Sequence, residues 1–96
     1  MDTQDIKVQS DDVDSLIVNE EVIYRNRLTI CILTTTTGYQ FVGDHSFVHD
    51  EAYDRDAGKD SAYADAREKL WNAMSFMLRC RIHEAALPSL YEPEPS

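Results

Sequence analysis

The spacing of apolar residues changes once along this chain of 96 residues, and that change limits the folds open to it. Residues 28–37 are dense in β-branched side chains, a composition that favours a central strand. From about residue 51 the apolar residues recur every three to four positions, which is the period of a helix. The prediction is an α+β fold, with a small antiparallel sheet over residues 21–48 packed against a helix over residues 51–83.

Two faces are expected for the central strand, because successive side chains of a strand point in opposite directions. The first face carries Leu28, Ile30 and Ile32, and the second carries Thr29, Cys31 and Leu33. The stripe of the long helix is predicted to contain Tyr63, Ala66, Leu70, Ala73, Met74 and Met77.

A short helix is predicted near the N-terminus. Ser10 is a suitable N-cap, and the acids that follow it favour a helix start. Val13, Leu16 and Ile17 then fall on one helical face.

A turn or a bulge is predicted at residues 25–27, and a hairpin turn at Gly38, where glycine permits a positive φ. A kink is expected at Gly43, after which residues 46–48 extend the return strand. Gly58 weakens the first helical turns and is expected to allow close approach to the sheet.

The acidity of the chain lies mostly at its ends. The net charge is −9, of which residues 1–20 carry −5, residues 84–96 carry −3 and residues 21–83 only −1. We therefore expect one domain over residues 10–84, between a flexible acidic segment (1–9) and a tail containing Pro and Glu (85–96). Direct binding of nucleic acid is disfavoured by this charge.

The chain has no apolar run near the ~18 residues that a membrane span needs, and no charged-then-apolar stretch opens it, so we expect that the protein is not secreted. We expect a soluble protein of the cytoplasm, with no membrane partner. Cys31 and Cys80 lie in separate apolar runs, and both are predicted to be small buried residues rather than a disulfide or a zinc site.

Several short motifs together resemble a phage protein family. They are LTICIL at residues 28–33, GYQFVG at 38–43, YD at 53–54, GK at 58–59, KLW at 69–71 and FMLRCR at 76–81. In this spacing they resemble the family named after gene product 49 of coliphage N-four and gene product 66 of Shigella phage Sf-six, over residues 15–82. The chain departs from that pattern at Phe47, where the family has Cys, and at Asn72, where it has Pro.

This resemblance implies a phage origin and no particular reaction. Its layout of strands followed by helix is also similar to that of phage "sponge" proteins, which oligomerise and sequester cyclic nucleotide signals of Thoeris defence without chemistry. Because the resemblance implies a phage origin, we expect the protein to act in the cytoplasm of the host cell.

Five residues are candidates for ligand binding, and each has a simpler structural interpretation. Arg79 and Arg81 offer guanidinium groups to phosphates, or they complement the helix C-terminus. Tyr39 and Phe41 share a strand face and suit stacking on a base, although strand aromatics are more often core. His45 is expected to form hydrogen bonds in a ligand pocket that the five residues build at an oligomer interface.

No catalytic motif is present, so we expect no enzyme, no catalytic residue and no cofactor. His45, His49 and Asp50 are close in sequence but lack the spacing of a metal site, and no metal is predicted. The charged residues around Lys59, Arg67 and Lys69 are typical of a solvated helix face with i,i+3 or i,i+4 pairs.

A homo-oligomer is predicted, because a chain of this size has a thin core and its long helix is apolar on nearly all sides. The interface is assigned to Trp71, Met74, Phe76, Met77 and Leu78.

Two hypotheses for function remain open at this point. One is a phage anti-defence protein that binds and sequesters a nucleotide signal. The other is an inhibitor that binds a host protein, with its acidic termini on a basic surface.

Overall fold

The computed structural model describes residues 8–86, which fold as a sheet covered on one side by a long helix. The elements follow the chain as α1 (Ser10–Leu16), β1 (Ile17–Arg25), β2 (Leu28–Thr35), β3 (Gln40–Ser46), a short 3-10 helix (Asp50–Ala52) and α2 (Arg55–Ala86). This arrangement confirms the predicted α+β fold, with three antiparallel strands in the order β1-β2-β3.

Both hairpin turns lie where the sequence places them. Arg25 pairs with Leu28, and Asn26 in the turn between them has a φ of 54°. Gly38 turns β2 into β3 with a φ of 89°, a region that L side chains rarely adopt.

The N-terminal boundaries differ from the prediction. β1 begins at Ile17 rather than at residue 21, so Ile17 belongs to the strand and not to the helical face. The N-cap of α1 is Gln9 rather than Ser10. The Gln9 backbone N–H donates to Oδ2 of Asp12 at 2.9 Å, which satisfies a backbone donor before the first helical turn.

The start of α2 also differs, because the chain turns twice between β3 and the helix. β3 ends at Ser46, and a 3-10 turn precedes the helix, which begins at Arg55 instead of residue 51. Asp54 explains the position: its Oδ1 accepts hydrogen bonds from the backbone N–H groups of Asp56 (3.0 Å) and Ala57 (3.1 Å).

α2 is much longer than the sheet that it covers. Its 32 residues extend about 48 Å, whereas the nine residues of β1 extend about 30 Å. The helix therefore continues past the sheet, and it passes the predicted end at residue 83 to reach Ala86, the last described residue. The predicted terminal segments fall largely in residues 1–7 and 87–96, outside the described part of the chain.

The core lies between α2 and the inner face of the sheet. The hydrophobic core cluster consists of four fully buried residues, Cys31, Leu33, Ala62 and Ala66. The helix approaches closely at Gly58, where an added Cβ would lie 2.7 Å from Oγ1 of Thr29, as the sequence predicts. Few large side chains are buried, so the core is thin.

None of the helices in the described part of the chain is long and apolar enough to cross a lipid bilayer.

Candidate functional site

A groove opens between the β2–β3 hairpin and the middle of α2, and we call it the hairpin groove. Its volume is about 410 Å³. Almost all of its lining is apolar: Leu16, Thr35, Thr37, Tyr39, Phe41, Leu70, Ala73, Met74 and Met77. An apolar concavity with a few polar groups at its edge is the usual form of a ligand site.

Two aromatic rings form one wall of the hairpin groove. The ring centroids of Tyr39 and Phe41 are 5.1 Å apart with the ring planes tilted by 55°. Tyr39 is 68% exposed and Phe41 is half-buried. The buried hydroxyl of Thr35 donates to the Tyr39 carbonyl at 2.8 Å, so the turn that carries Tyr39 is held by a side chain of β2.

His45 does not reach the hairpin groove. It lies on the inner face, paired with Thr29, four residues beyond Phe41 along β3, which is about 13 Å of strand. Its ring packs edge-on against Phe47 at 4.7 Å, and Phe47 packs against Tyr53 at 5.6 Å. These three rings form a separate aromatic cluster at the start of α2.

Arg79 and Arg81 are exposed on the part of α2 that extends past the sheet, and neither lines the hairpin groove. An α-helix turns about 100° per residue. Arg81 is four residues after Met77 and therefore continues the stripe that lines the groove, one turn further on. Arg79 points about 200° away from Met77, to the other side of the helix.

The five residues assigned to an oligomer interface have different surroundings. Met74 and Met77 line the hairpin groove, and Trp71 lies 5.8 Å from the guanidinium carbon of Arg67. Phe76 is 70% exposed and Met77 is 55% exposed, while Leu78 is half-buried. The interface itself stays a prediction.

Two charged side chains of α2 form hydrogen bonds with the backbone of β3. The sequence analysis missed these bonds, because it assigned both side chains to a solvated helix face. Lys69 Nζ donates to the Val42 carbonyl at 2.7 Å, and Asp65 Oδ2 accepts from the Asp44 N–H at 3.1 Å. Lys69 and Asp65 also form the expected i,i+4 ion pair at 3.5 Å. We call this pair of contacts the edge clamp, because it occupies backbone groups of an edge strand.

Arg67 joins α2 to α1 rather than to a neighbour on its own helix. Its Nε donates to Asp14 at 3.0 Å, and its guanidinium also donates to the hydroxyl of Ser10 at 2.7 Å. The hydrogen bond to Asp14 is the main reason that the pKa of Arg67 rises above its ordinary value.

The two cysteines are free thiols in different surroundings. Cys31 is fully buried, as predicted, whereas Cys80 is only half-buried. Burial raises the pKa of the Cys31 thiol, the Glu20 carboxylate raises it further and Lys59 opposes the change. Across residues 8–86, no three His, Cys, Asp or Glu side chains are grouped so that they could hold a metal ion.

Comparison with known proteins confirms the phage resemblance. Residues 8–82 match the family described as "Phage protein (N4 Gp49/phage Sf6 gene 66) family". No curated protein and no solved structure matches the chain significantly, so the weaker resemblance to Thoeris sponge proteins has no support there. The family match spans every described strand and most of α2, and on that basis the chain belongs to the Phage protein (N4 Gp49/phage Sf6 gene 66) family.

Proposed function

We propose that this phage protein counteracts host defence in the cytoplasm of the infected cell by binding without catalysis, and that the hairpin groove receives a nucleotide-type ligand. The observation that carries the proposal is the ring pair of Tyr39 and Phe41 on the wall of the groove.

The aromatic wall suits the base of a nucleotide. Stacking of a base on an aromatic side chain contributes about 1–3 kcal/mol, and the exposed ring of Tyr39 is accessible for it. The groove volume, about 410 Å³, falls within the range of small-molecule sites. A base bound between the hairpin and the methionines of α2 would contact apolar side chains on both of its faces.

Arg81 would supply the positive charge for the phosphate of that ligand. It continues the stripe of Met74 and Met77 beyond the end of the groove, and a guanidinium binds phosphate oxygens through two parallel hydrogen bonds. A nucleotide with its base in the groove would extend its phosphate along α2 toward this residue.

Titration calorimetry with a panel of linear and cyclic nucleotides tests the proposal. Phe41→Ala and Arg81→Ala should each weaken binding by about 5- to 150-fold, because each removes about 1–3 kcal/mol of stacking or charged hydrogen bonding and about 1.4 kcal/mol is a factor of ten. Arg79→Ala is the matched control, since Arg79 points away from the groove, and it should bind like the wild type. Binding that survives both Phe41→Ala and Arg81→Ala would contradict the proposal.

A second candidate is inhibition of a host protein, and the apolar lining of the groove favours it. Leu70, Met74 and Met77 form one side of the groove, and flexible methionines suit an apolar protein segment. Here Met74→Asp should abolish capture of the host protein, whereas Arg81→Ala should leave it intact. The role of the acidic termini is tested separately: deletion of residues 1–9 and 89–96 should weaken binding of the host protein and remove its salt dependence.

A further inference from the structure

The side of the sheet that faces away from α2 carries an apolar patch, which we call the outer face. It consists of Ile23 from β1, Leu28, Ile30 and Ile32 from β2, and Val42 from β3. Its members are neighbours in the register: Ile23 pairs with Ile30, and Ile32 pairs with Val42. Within residues 8–86, no helix packs on this face.

β2 is as apolar on its outer face as it is on its inner face. The inner residues are Thr29, Cys31, Leu33 and Thr35, which are buried under α2, whereas the outer face has the larger Leu28, Ile30 and Ile32, followed by Thr34 at the end of the strand. A half-exposed strand normally alternates apolar with polar residues, and a strand that is apolar throughout is typical of burial on both sides. The outer face therefore has the composition of a covered surface.

We propose that a second copy of this chain covers the outer face, so that two sheets pack face to face about a two-fold axis. Sheets in such contacts lie about 10 Å apart with their strands roughly aligned. The result is a four-layer dimer with one α2 on each outside. The hairpin groove lies on the opposite side of the sheet, so this interface is independent of the proposed ligand site.

The charges around the outer face are self-complementary, which favours a second copy over a partner of one charge. Arg25 stands on the same face as Glu21 and Asp44. If the two-fold axis runs across the strands, Arg25 of each copy lies diagonally opposite Glu21 of the other. If the axis runs along the strands, Arg25 lies diagonally opposite Asp44 instead. Either arrangement pairs opposite charges twice.

The size of the outer face is sufficient for a weak dimer. Three strands of about eight residues give a projected area of roughly 14 by 26 Å. With side-chain relief, two copies would bury on the order of 1,100 Å², which is near the lower limit of specific interfaces. We therefore expect a dimer that dissociates measurably on dilution.

Sedimentation velocity over a hundredfold range of concentration tests the dimer. Ile32→Lys puts a charge at the centre of the outer face and should give a monomer with unchanged circular dichroism. Phe76→Lys changes an exposed residue of α2 that the sequence assigned to the interface; in the packing proposed here it lies outside the interface, so this control should still dimerise. A wild-type monomer at every concentration would overturn the proposal, as would a dimer that Phe76→Lys abolishes and Ile32→Lys does not.

Charge reversal provides a second test that does not alter the apolar patch. Arg25→Glu should weaken the dimer by at least tenfold, because each copy then opposes like charges. The double variants Arg25→Glu/Glu21→Arg and Arg25→Glu/Asp44→Arg should differ, and the one that restores the dimer identifies the axis. Restoration by neither would contradict the proposed packing.

Discussion

Gly43 of β3 and Ala66 of α2 lie in direct backbone contact. A Cβ added at Gly43 would lie 2.9 Å from Cα of Ala66 and would overlap the Ala66 nitrogen and the Ala62 carbonyl oxygen. Both alanines are fully buried. This contact fixes how closely the helix approaches the sheet, and the chain uses its smallest residues on both sides of it.

Gly43→Ala should therefore destabilise the fold strongly, because α2 would have to move away from β3. We expect a loss of about 3 kcal/mol in the free energy of unfolding, the upper end of the cost of an inserted methyl group in a packed core. Chemical denaturation with matched m-values measures it.

Gly38→Ala is the control for a backbone effect alone. Nothing lies within 4 Å of a Cβ at that position, but its φ of 89° disfavours alanine, so we expect a loss of about 1 kcal/mol. A Gly43→Ala variant as stable as Gly38→Ala would show that the close contact is wrong.

The edge clamp should protect the free edge of β3. Removing either side chain, in Asp65→Ala or Lys69→Ala, exposes backbone groups of Val42 or Asp44. We expect a loss of about 0.5–1 kcal/mol, since both side chains are partly exposed, together with faster aggregation. Thermal melts and light scattering during storage are the measurements.

Glu68→Ala is the matched variant for the edge clamp, because Glu68 is exposed on the same helix and makes no bond to β3. It should melt and scatter like the wild type. If all three variants behave alike, the clamp has no protective role.

The buried thiol of Cys31 should make the fold less stable at alkaline pH. Its pKa is raised above the ordinary value of 9.0, so the folded chain holds this proton more tightly than the unfolded chain. The resulting stability is complete below about pH 9 and is lost as the pH rises through the folded pKa.

Denaturation at a series of pH values above 8 measures this effect. Cys31→Ala should show a shallower alkaline decline than the wild type, although from a lower starting stability, and Cys80→Ala should keep the wild-type slope. In a thiol-reagent assay on the native protein, Cys80 should react quickly and Cys31 slowly. Rapid reaction of both thiols would contradict the burial of Cys31.

The sequence was sufficient for β2 and its two faces, because a period of two follows directly from side-chain geometry, but it placed Ile17 on a helix instead of at the start of β1. The alternation along β2 and the turn at Gly38 are confirmed by the register. Where the prediction failed, at Gln9 and Asp54, a local side-chain bond fixes the helix end. Several polar residues near each helix start could form an equivalent bond, so the pattern of residue types does not show which of them does.

The candidate site was predicted only in part. Tyr39 and Phe41 lie together on the groove, as their shared strand face implies. His45 shares that face but is separated from Phe41 by Gly43, where α2 crosses the sheet. The placement of Arg79 and Arg81 depends on the length of α2 relative to the sheet, which a local pattern does not reveal.

Binding of a nucleotide in the hairpin groove is the central claim, and native mass spectrometry of the protein purified from infected cells tests it most directly. We predict a stoichiometric adduct of nucleotide mass on the wild-type protein, and its absence from Phe41→Ala purified in the same way. A wild-type protein that blocks host defence in those cells and yet carries no adduct would contradict the account.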